Sequence, residues 1–504
     1  MKDSTPPGLN TQAFWLILAR MIGFICLLAM PIVMARVFDK PHVGIYKQAF
    51  LVVSTAVGLC QFGVALSVFY FLPRLPERRG AVVLNVVLYH LLIGGLVCGV
   101  FFCWPNCFQL ILGKPELVPH ARIIGLIILT WLFALFLEFI PSANADVKWS
   151  TIFIIGSQIS RSVLLAGTAM VFHTLDAVLY GALAQGVLQC LLLLWYLNWK
   201  FPSFWRQFHR PTATAQLRYA APFGCYGILS WAQDDMHNYL VSHSYSTSEF
   251  ATYSVGTSDV PLGGILRDSV NTVLLPRISK LQHEGKSAEI LELLMRAWRK
   301  LAAAMLPAAA LLLVLGRDFL AAMYTPAFLS SWPIFALNLS VLVMAIFLVD
   351  PIIRTHEEAR PFFLKLRVLV AAIQLPVSLL GIHFFGMIGA LAGLLVVSVF
   401  ERSVALYKAL GMVHFRRHDI RKLSGVLGFA VAAALAAGVT WMVRTRMPET
   451  AYRMNFLLGS AVYAVAYAVA VAVLGLPDAG ERTLVNRYSL RFLGIRLLRE
   501  KAER

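Results

Sequence analysis

The chain has 504 residues, of which 59% are hydrophobic and 14% charged, and its mean hydropathy is +0.72. This composition excludes a soluble multidomain protein of the same length. Lys and Arg outnumber Asp and Glu by 44 to 26, which gives a formal net charge of +18 at pH 7. Apolar runs of roughly 20 residues recur to the end of the chain, so the sequence predicts an all-α polytopic membrane protein.

Hydropathy predicts fourteen membrane spans. Their ranges are 14–37, 49–71, 81–104, 121–140, 149–172, 176–197, 219–243, 250–275, 299–322, 332–353, 361–384, 386–409, 424–444 and 454–475. With a cytoplasmic N-terminus, most Lys and Arg residues fall in cytoplasmic loops, as the positive-inside rule requires. Both termini are therefore predicted to be cytoplasmic. The loops account for most of the net charge without a nucleic-acid partner.

One hairpin design occurs twice along the chain. The segment Val43–Tyr46 precedes a span that closes with Leu72–Arg74, and Phe250–Tyr253 begins a span that closes with Leu275–Arg277. Two related halves around a midplane site are a common plan of secondary transporters, chance similarity of short apolar segments being the alternative.

The spans and this repeat together predict two pseudo-symmetric six-helix lobes and two extra C-terminal helices. The predicted parts are an N-lobe at 1–197, a cytoplasmic linker at 198–218, a C-lobe at 219–409, two additional spans within 424–475 and a basic amphipathic cytoplasmic tail at 476–504.

Charged groups inside the spans of the first half indicate a candidate site. Charge in hydrocarbon costs a few kcal/mol or more and persists mainly beside a watery or protein-lined cavity. Arg161 lies about 18 Å into its span, near the membrane centre. Gln158 is on the same helix, and Gln185 and Gln189 are on the next. Arg20 lies about 9 Å into the first span, so it either snorkels to the cytoplasmic face or lines the cavity. No central acid is visible in the first six spans, so this interior is predicted to be positive and to suit an anionic ligand.

Acids dominate the spans that begin the second half. Asp234 and His237 fall on one helical face of span 7, and span 8 carries Asp259, Arg267 and Asp268. Arg267 and Asp268 point about 100° apart on a helix, so they are not expected to neutralise each other on one face. These acids are candidate groups for holding arginines or for coupling to H+ or Na+. No metal site and no cofactor are predicted.

The fourteen-span plan, its division into twelve plus two, and the Val-Gly-Ile-Tyr and Leu-Pro-Arg elements resemble bacterial oligosaccharide or polysaccharide flippases. These flippases belong to the MATE-like multidrug/oligosaccharidyl-lipid/polysaccharide (MOP) superfamily. The resemblance implies that an undecaprenyl-diphosphate-linked glycan, such as an O-antigen or exopolysaccharide precursor, crosses the bacterial inner membrane by alternating access between two lobes.

The resemblance also implies partners and a type of cavity. The expected partners are the lipid-linked glycan, the membrane, and the polymerase and glycosyltransferases of the same pathway. The cationic cavities of the family match Arg20 and Arg161. Asp234, Asp235 and Asp259 make the second half of this chain less positive than the family pattern.

Two other functional classes stay open. A cation-coupled multidrug exporter of the same fold normally carries an acid in the first span, where this chain has Arg20. A membrane glycan polymerase or ligase needs a sizeable external loop or paired acids near a span end, and the predicted external loops are short. The protein is therefore predicted to be a transporter rather than an enzyme.

Overall fold

The structure is a computed structural model that describes residues 29–258, 260–478 and 482. Within these ranges the regular secondary structure is helical, which confirms the predicted all-α fold. Arg20, Asp259 and the predicted tail beyond residue 482 lie outside the described residues.

The helices are numbered in chain order. They are α1 (29–37), α2 (Lys40–Cys60), α3 (Ser67–Arg74), α4 (Arg79–Cys103), α5 (Cys107–Leu112), α6 (Ala121–Ala134), α7 (Phe136–Ala143), α8 (Val147–Phe172), α9 (Leu175–Lys200), α10 (Arg210–Asp234), α11 (Met236–Ser244), α12 (Thr247–Gly256), α13 (Pro261–His283), α14 (Ser287–Met323), α15 (Trp332–Asn338), α16 (Ser340–Met344), α17 (Asp350–Thr355), α18 (Arg360–Met412), α19 (Ser424–Arg444) and α20 (Tyr452–Val473).

Ten segments of the described chain are long and apolar enough to cross a membrane. They cover predicted spans 2 to 6 and 9 to 14, because α18 contains two spans. Gly386 inside α18 has φ 62° and ψ −144°, which reverses the chain into a hairpin. Gly381 and Gly389 face each other across this hairpin, where a Cβ on Gly381 would lie 2.1 Å from the Gly389 carbonyl oxygen. The chain reversal predicted between residues 384 and 386 is therefore confirmed.

The chain divides into two compact units. The first comprises Met1–Ser254 and Ala371–Ala390, and the second comprises Val255–Val370 and Leu391–Arg504. These units are defined by how closely their residues pack together, not by the repeat in the sequence. The six-helix lobes at 1–197 and 219–409 stay a prediction.

Span 2 is an interrupted helix that begins earlier than the predicted 49–71. The Asp39 carboxylate accepts a hydrogen bond from the His42 backbone N–H at 3.1 Å and thereby caps the first turn of α2. The helix ends before Phe62 and Gly63, which have positive φ values of 44° and 69°, and the chain continues as α3. The predicted loop before residue 49 is therefore wrong, because most of it is helical.

Spans 7 and 8 are interrupted as well. Span 7 is divided between α10 and α11 at Asp235, and span 8 is divided between α12, which ends at Gly256, and α13, which begins at Pro261. Neither span is among the ten long apolar segments of the described chain. Discontinuous membrane helices are typical of transporter sites, where unwound backbone lines a cavity.

The second unit is built around α14, whose 37 residues span roughly 55 Å. Residues 287–298, which precede predicted span 9, are continuous with that span in this single helix. Its apolar residues Ile290, Leu291 and Leu294 are buried in protein contacts, so they do not lie on a membrane surface. Helices α19 and α20, which contain the two additional spans, bury one side against α14 and against each other.

Two ion pairs fasten this three-helix group. At the end of α19, Arg444 donates from Nε and Nη2 to the two carboxylate oxygens of Asp318 on α14, at 2.5 and 2.9 Å. Asn455 on α20 donates to the same carboxylate at 3.5 Å. About a third of the way along α14, Arg299 pairs with Asp478, which follows α20. Asp318 is only 2% exposed, so its charge is compensated inside the protein by a bidentate partner.

Candidate functional site

Arg161 on α8 is an intramembrane cation of the first unit. Its guanidinium carbon lies 4.1 Å from the ring centroid of Trp131 on α6. Among the described residues no carboxylate forms an ion pair with Arg161, and its buried Nε has no hydrogen-bond partner. A guanidinium remains protonated at physiological pH and has five N–H donors. Arg161 therefore presents charge and donors that this part of the protein does not use.

Gln185 on α9 faces the same place. Helices α8 and α9 are antiparallel, because the Gln189 amide donates to the Ser157 hydroxyl while Gly181 packs on the backbone of α8 two turns further along. Gln185 lies midway between these contacts, and the register puts it opposite Arg161. It is 0% exposed, and neither of its amide atoms has a hydrogen-bond partner in the described chain. An unpaired buried amide costs about 1–3 kcal/mol, so the site has unused capacity to bind a polar ligand.

One acid does reach this cluster. The Ser157 hydroxyl lies 3.5 Å from a carboxylate oxygen of Glu138 on α7 and also accepts from Gln189. The Glu138 carboxylate interacts electrostatically with Arg161 without forming an ion pair. The expectation that no acid lies near the centre of the first six spans is therefore wrong. The helix continues past the predicted end of span 4 and packs on α8, which brings the carboxylate inward.

Lys47 is a further intramembrane cation that sequence reasoning missed. It follows Tyr46 on α2 and is half-buried. The rings of Tyr46, Phe50 and Trp131 form a continuous chain with centroid distances of 4.8 and 5.7 Å. Within the described ranges Lys47 has no hydrogen bond or ion pair. The prediction placed Lys47 in an external loop, although the Asp-Lys-Pro sequence at residue 39 is a helix-start signal that places it inside a helix.

The remaining predicted site residues have other surroundings. Gln158 on α8 is half-buried, and the described residues give it no hydrogen bond. Arg20 and Asp259 lie outside the described residues. In the second unit, Arg267 Nε on α13 lies 3.8 Å from the Asp268 carboxylate. The expectation that these two do not neutralise each other is wrong, because flexible side chains overcome the 100° separation of their Cα positions.

Helices α10 and α11 lie antiparallel against α2 and α3 over most of their length. We call this contact the 2–7 seam. Its paired residues, in order, are Gly44 with Thr247, Gln48 with Ser242, Leu51 with Tyr239, Thr55 with Trp231, Phe62 with Gly224 and Ser67 with Gln216. The Gln48 amide donates to the Ser242 hydroxyl at 2.9 Å, and both residues are 0% exposed. The seam joins two spans that the sequence assigns to different lobes.

A cavity of about 190 Å³ lies near the middle of the seam. Its lining residues are Ser54, Thr55, Gly58, Leu59, Gly227, Ser230, Trp231, Asp234 and Asp235. The two acids lie where α10 ends, and the carbonyl end of a helix attracts cations.

His237 does not share this cavity. The sequence predicts that it lies on one helical face with Asp234, but α10 ends between the two residues. His237 is instead buried, with Nδ1 2.6 Å from the Tyr253 hydroxyl. Among the residues that the structure describes, no three His, Cys, Asp or Glu side chains are grouped to hold a metal ion.

The model of a family described as "Polysaccharide biosynthesis protein" matches residues 33–333. The fold is similar to that of "Lipid II flippase MurJ, inward closed conformation", with a TM-score of 0.69 and 16% identity, covering 92% of this chain and 99% of that chain. It is also similar to an inward-facing multidrug resistance MATE family transporter of the MOP superfamily, with a TM-score of 0.57 and 13% identity, covering 80% and 98% of the two chains.

A MOP superfamily transporter from Pyrococcus furiosus is similar as well, with a TM-score of 0.55 and 14% identity, covering 80% and 95%. No curated protein matches the sequence. At these identities the solved structures show a shared fold, and they are transporters or flippases. The family model covers more than half of this chain. The chain therefore belongs to the polysaccharide biosynthesis protein family and has the MurJ/MATE-like fold of the MOP superfamily.

Proposed function

We propose that the protein is a flippase that moves an undecaprenyl-diphosphate-linked glycan precursor across the bacterial inner membrane by alternating access. The observation that supports this proposal best is the guanidinium of Arg161, deep in a predicted span and without a carboxylate partner in the described chain. A guanidinium binds phosphate oxygens in a bidentate manner and keeps its charge at any relevant pH.

The surrounding side chains support an anionic ligand. The unpaired amide of Gln185 donates to a phosphate oxygen, and Lys47 contributes a second positive charge from α2. The Trp131 ring holds the guanidinium in place through its π face. In the absence of substrate, Glu138 partly balances the charge of Arg161 from beyond ion-pair distance. A diphosphate therefore gains more from this site than a neutral sugar or an apolar drug does.

Alternating access requires the 2–7 seam to open and close. Asp234 and Asp235 line the cavity within this seam, so their charge bears directly on how closely α2 and α10 pack. Binding of H+ or Na+ by these acids neutralises like charges in a confined space and stabilises the closed seam. Loss of the ion favours opening, which couples the seam to an ion gradient.

The proposal includes a place in a pathway. Glycosyltransferases assemble the glycan on its lipid at the cytoplasmic face, where we place both termini. The flippase then supplies the glycan to a polymerase on the opposite face. No reaction occurs at the flippase itself.

Export assays of Arg161 variants test the proposal. Arg161→Ala removes charge and donors, and Arg161→Lys keeps the charge without the bidentate fork, so surface glycan should be lost in the first and reduced in the second. Arg453→Ala, at an exposed arginine of α20, is the control. Protein levels in the membrane must be matched. Wild-type export by both Arg161 variants would remove Arg161 from the mechanism.

A cation-coupled multidrug exporter is the second candidate function. The acids Asp234 and Asp235 in the seam cavity favour a cationic cargo, and MATE transporters are among the similar folds. Efflux of cationic dyes from cells that overproduce the protein distinguishes the two functions. Ion-dependent efflux that is abolished by Asp234→Asn and unaffected by Arg161→Ala would replace the flippase proposal.

A further inference from the structure

A lateral groove of about 580 Å³ lies in the first unit, apart from the residues of the candidate site that bind the diphosphate. It follows the contact between α8 and α9, with α7 at one edge. Its lining residues are Leu137, Trp149, Ile152, Phe153, Gly156, Ser157, Ser160, Leu188, Gln189, Leu192 and Trp195. The groove has the volume of a typical ligand site, which is roughly 300–1,000 Å³.

The polar groups of the groove are bonded to protein. The Gln189 amide donates to the Ser157 hydroxyl, the Ser157 hydroxyl lies within reach of Glu138, and the Ser160 hydroxyl donates to the Ser157 carbonyl at 3.1 Å. The rest of the lining is aliphatic or aromatic. Because these serine hydroxyls and the glutamine N–H bond to protein and the rest of the lining is apolar, the groove presents a surface that suits hydrocarbon better than water.

The length of the groove matches one membrane leaflet. Trp149 and Ser160 mark its ends on α8 and are separated by about 16 Å along the helix. Half of a hydrocarbon core of about 30 Å is nearly the same length. Gly156 gives the groove its depth, because no atom lies within 4 Å of the position that its Cβ would occupy.

One end of the groove has the features of a membrane interface. Trp149, Trp195 and Trp199 pack against one another with centroid distances of 5.2 to 5.6 Å. Lys200 Nζ lies 4.0 Å from the Trp199 ring centroid and pairs with Asp146 at 3.1 Å, whereas the exposed Lys148, which precedes Trp149, has no ion pair within the described residues. Indole rings favour the head-group level, and the charge of Lys148 beside them attracts the anionic lipids of a cytoplasmic leaflet.

We propose that this groove binds one acyl chain of an anionic phospholipid, with the head group beside Lys148 and Trp149. The groove is apolar where the chain lies and cationic where the head group lies, so it matches an anionic amphiphile along its whole length. This site is independent of the proposed transport activity. A polyprenyl chain fits the apolar part, but its diphosphate would then lie at the interface, away from Arg161.

Retention of lipid by purified protein tests the proposal. Gly156→Leu fills the groove, and Gly167→Leu is its matched control, because it makes the same change on α8 where a Cβ also meets no atom within 4 Å. After reconstitution in vesicles of phosphatidylglycerol and phosphatidylcholine and re-extraction, bound lipid is counted by native mass spectrometry. The wild type and Gly167→Leu should retain phosphatidylglycerol. The amount of phosphatidylglycerol bound to Gly156→Leu should be at least tenfold lower.

A second variant that fills the groove shows whether the loss of lipid in the first variant results from misfolding. Ile152→Trp fills the groove from another side and should give the same loss, since Ile152 is 44% exposed. Lys148→Gln should keep a bound chain and lose the preference for phosphatidylglycerol. Undiminished retention in both blocking variants, equal retention of the two lipids by the wild type, or retention of a polyprenyl lipid alone would each overturn the proposal.

Discussion

Each compact unit contains an arginine in a membrane helix, and the two arginines have opposite environments. Arg444 in the second unit makes two hydrogen bonds to the buried carboxylate of Asp318. Arg161 in the first unit is stacked on Trp131, and the described residues provide no ion pair for it. The charge of Arg444 is compensated within the protein, whereas the charge of Arg161 is available to a ligand.

The comparison shows that a place within a membrane span does not by itself identify a functional charge. A bidentate carboxylate satisfies a guanidinium in direction and charge, so Arg444 has little left to offer a ligand. An aromatic ring attracts the cation through its face and leaves the N–H edge open. The stacked arginine is therefore the better candidate for substrate binding, and the paired one is the better candidate for stability.

The largest effect is expected at the paired arginine. Asp318→Ala leaves the half-buried Arg444 without the buried carboxylate that pairs with it, which should cost about 3–5 kcal/mol of folding stability. Thermal unfolding in detergent measures the loss, and Asp318→Leu combined with Arg444→Leu should restore most of it. An Asp318→Ala protein as stable as Arg161→Ala would contradict the proposed difference between the two sites.

Lys47 should affect export and leave stability nearly unchanged. Lys47→Gln removes one charge from the proposed diphosphate site, and a hydrogen bond to a charged group contributes about 1.5–3 kcal/mol, so export should fall roughly tenfold or more. Lys47→Arg keeps the charge and should retain most activity. Surface glycan at matched protein levels is the measurement, and normal export by Lys47→Gln would exclude a role for this lysine.

Trp131 should have a smaller effect on the same assay. Trp131→Leu removes the ring beneath Arg161 and with it about 0.5–2 kcal/mol of cation–π attraction, so export should fall by a few-fold. Trp131→Phe loses the hydrogen bond from Nε1 to the Ala182 carbonyl at 3.1 Å and keeps a ring. If the Phe and Leu variants export equally poorly, the hydrogen bond rather than the ring positions Arg161.

The smallest effect is expected for a charge outside the membrane spans. The Glu249 carboxylate accepts from the Ser246 hydroxyl at 2.7 Å and from its backbone N–H at 2.9 Å, and these bonds lower the pKa of Glu249. A lowered pKa stabilises the fold above the unfolded pKa of about 4.3, and the benefit is lost as the pH falls through the folded pKa. Glu249→Gln keeps an acceptor oxygen and removes the negative charge from the first turn of α12, so it should cost about 0.3–1 kcal/mol at pH 7.

Unfolding measured at pH 7 and at a pH below the folded pKa of Glu249 checks this prediction. Wild type and Glu249→Gln should differ at the higher pH and converge at the lower one. A difference that grows on acidification would show that the Ser246 bonds do not act through the carboxylate charge.

Much of the fold could be predicted from hydropathy alone. Spans with continuous apolar sequence, such as the one that becomes α9, were located to within a few residues, and Gly386 marks the reversal inside α18. The interrupted spans were harder, because polar residues such as Asp235 and positive φ at Phe62 end a helix inside a membrane-length segment. Hydropathy averages over such interruptions and reports one span.

The candidate site could be predicted only in part, since contacts between distant residues are not encoded in local patterns. Depth along α8 pointed to Arg161, and the polar face of α9 pointed to Gln185. The approach of Glu138 depends on how α7 packs on α8. The pairing of Asp318 with Arg444 joins positions 126 residues apart, and no local spacing in the sequence indicates it.

The two ion pairs on α14 have a mechanical consequence. Helices α19 and α20 are tied to a rod of roughly 55 Å at two points that lie about 28 Å apart along it, so the three helices should tilt as one rigid group. A tilt of about 10° would displace one end of such a rod by roughly 9 Å relative to the other. A small tilt of the three helices within the bilayer would thus produce a large, measurable displacement of the end of α14 that projects beyond the bilayer.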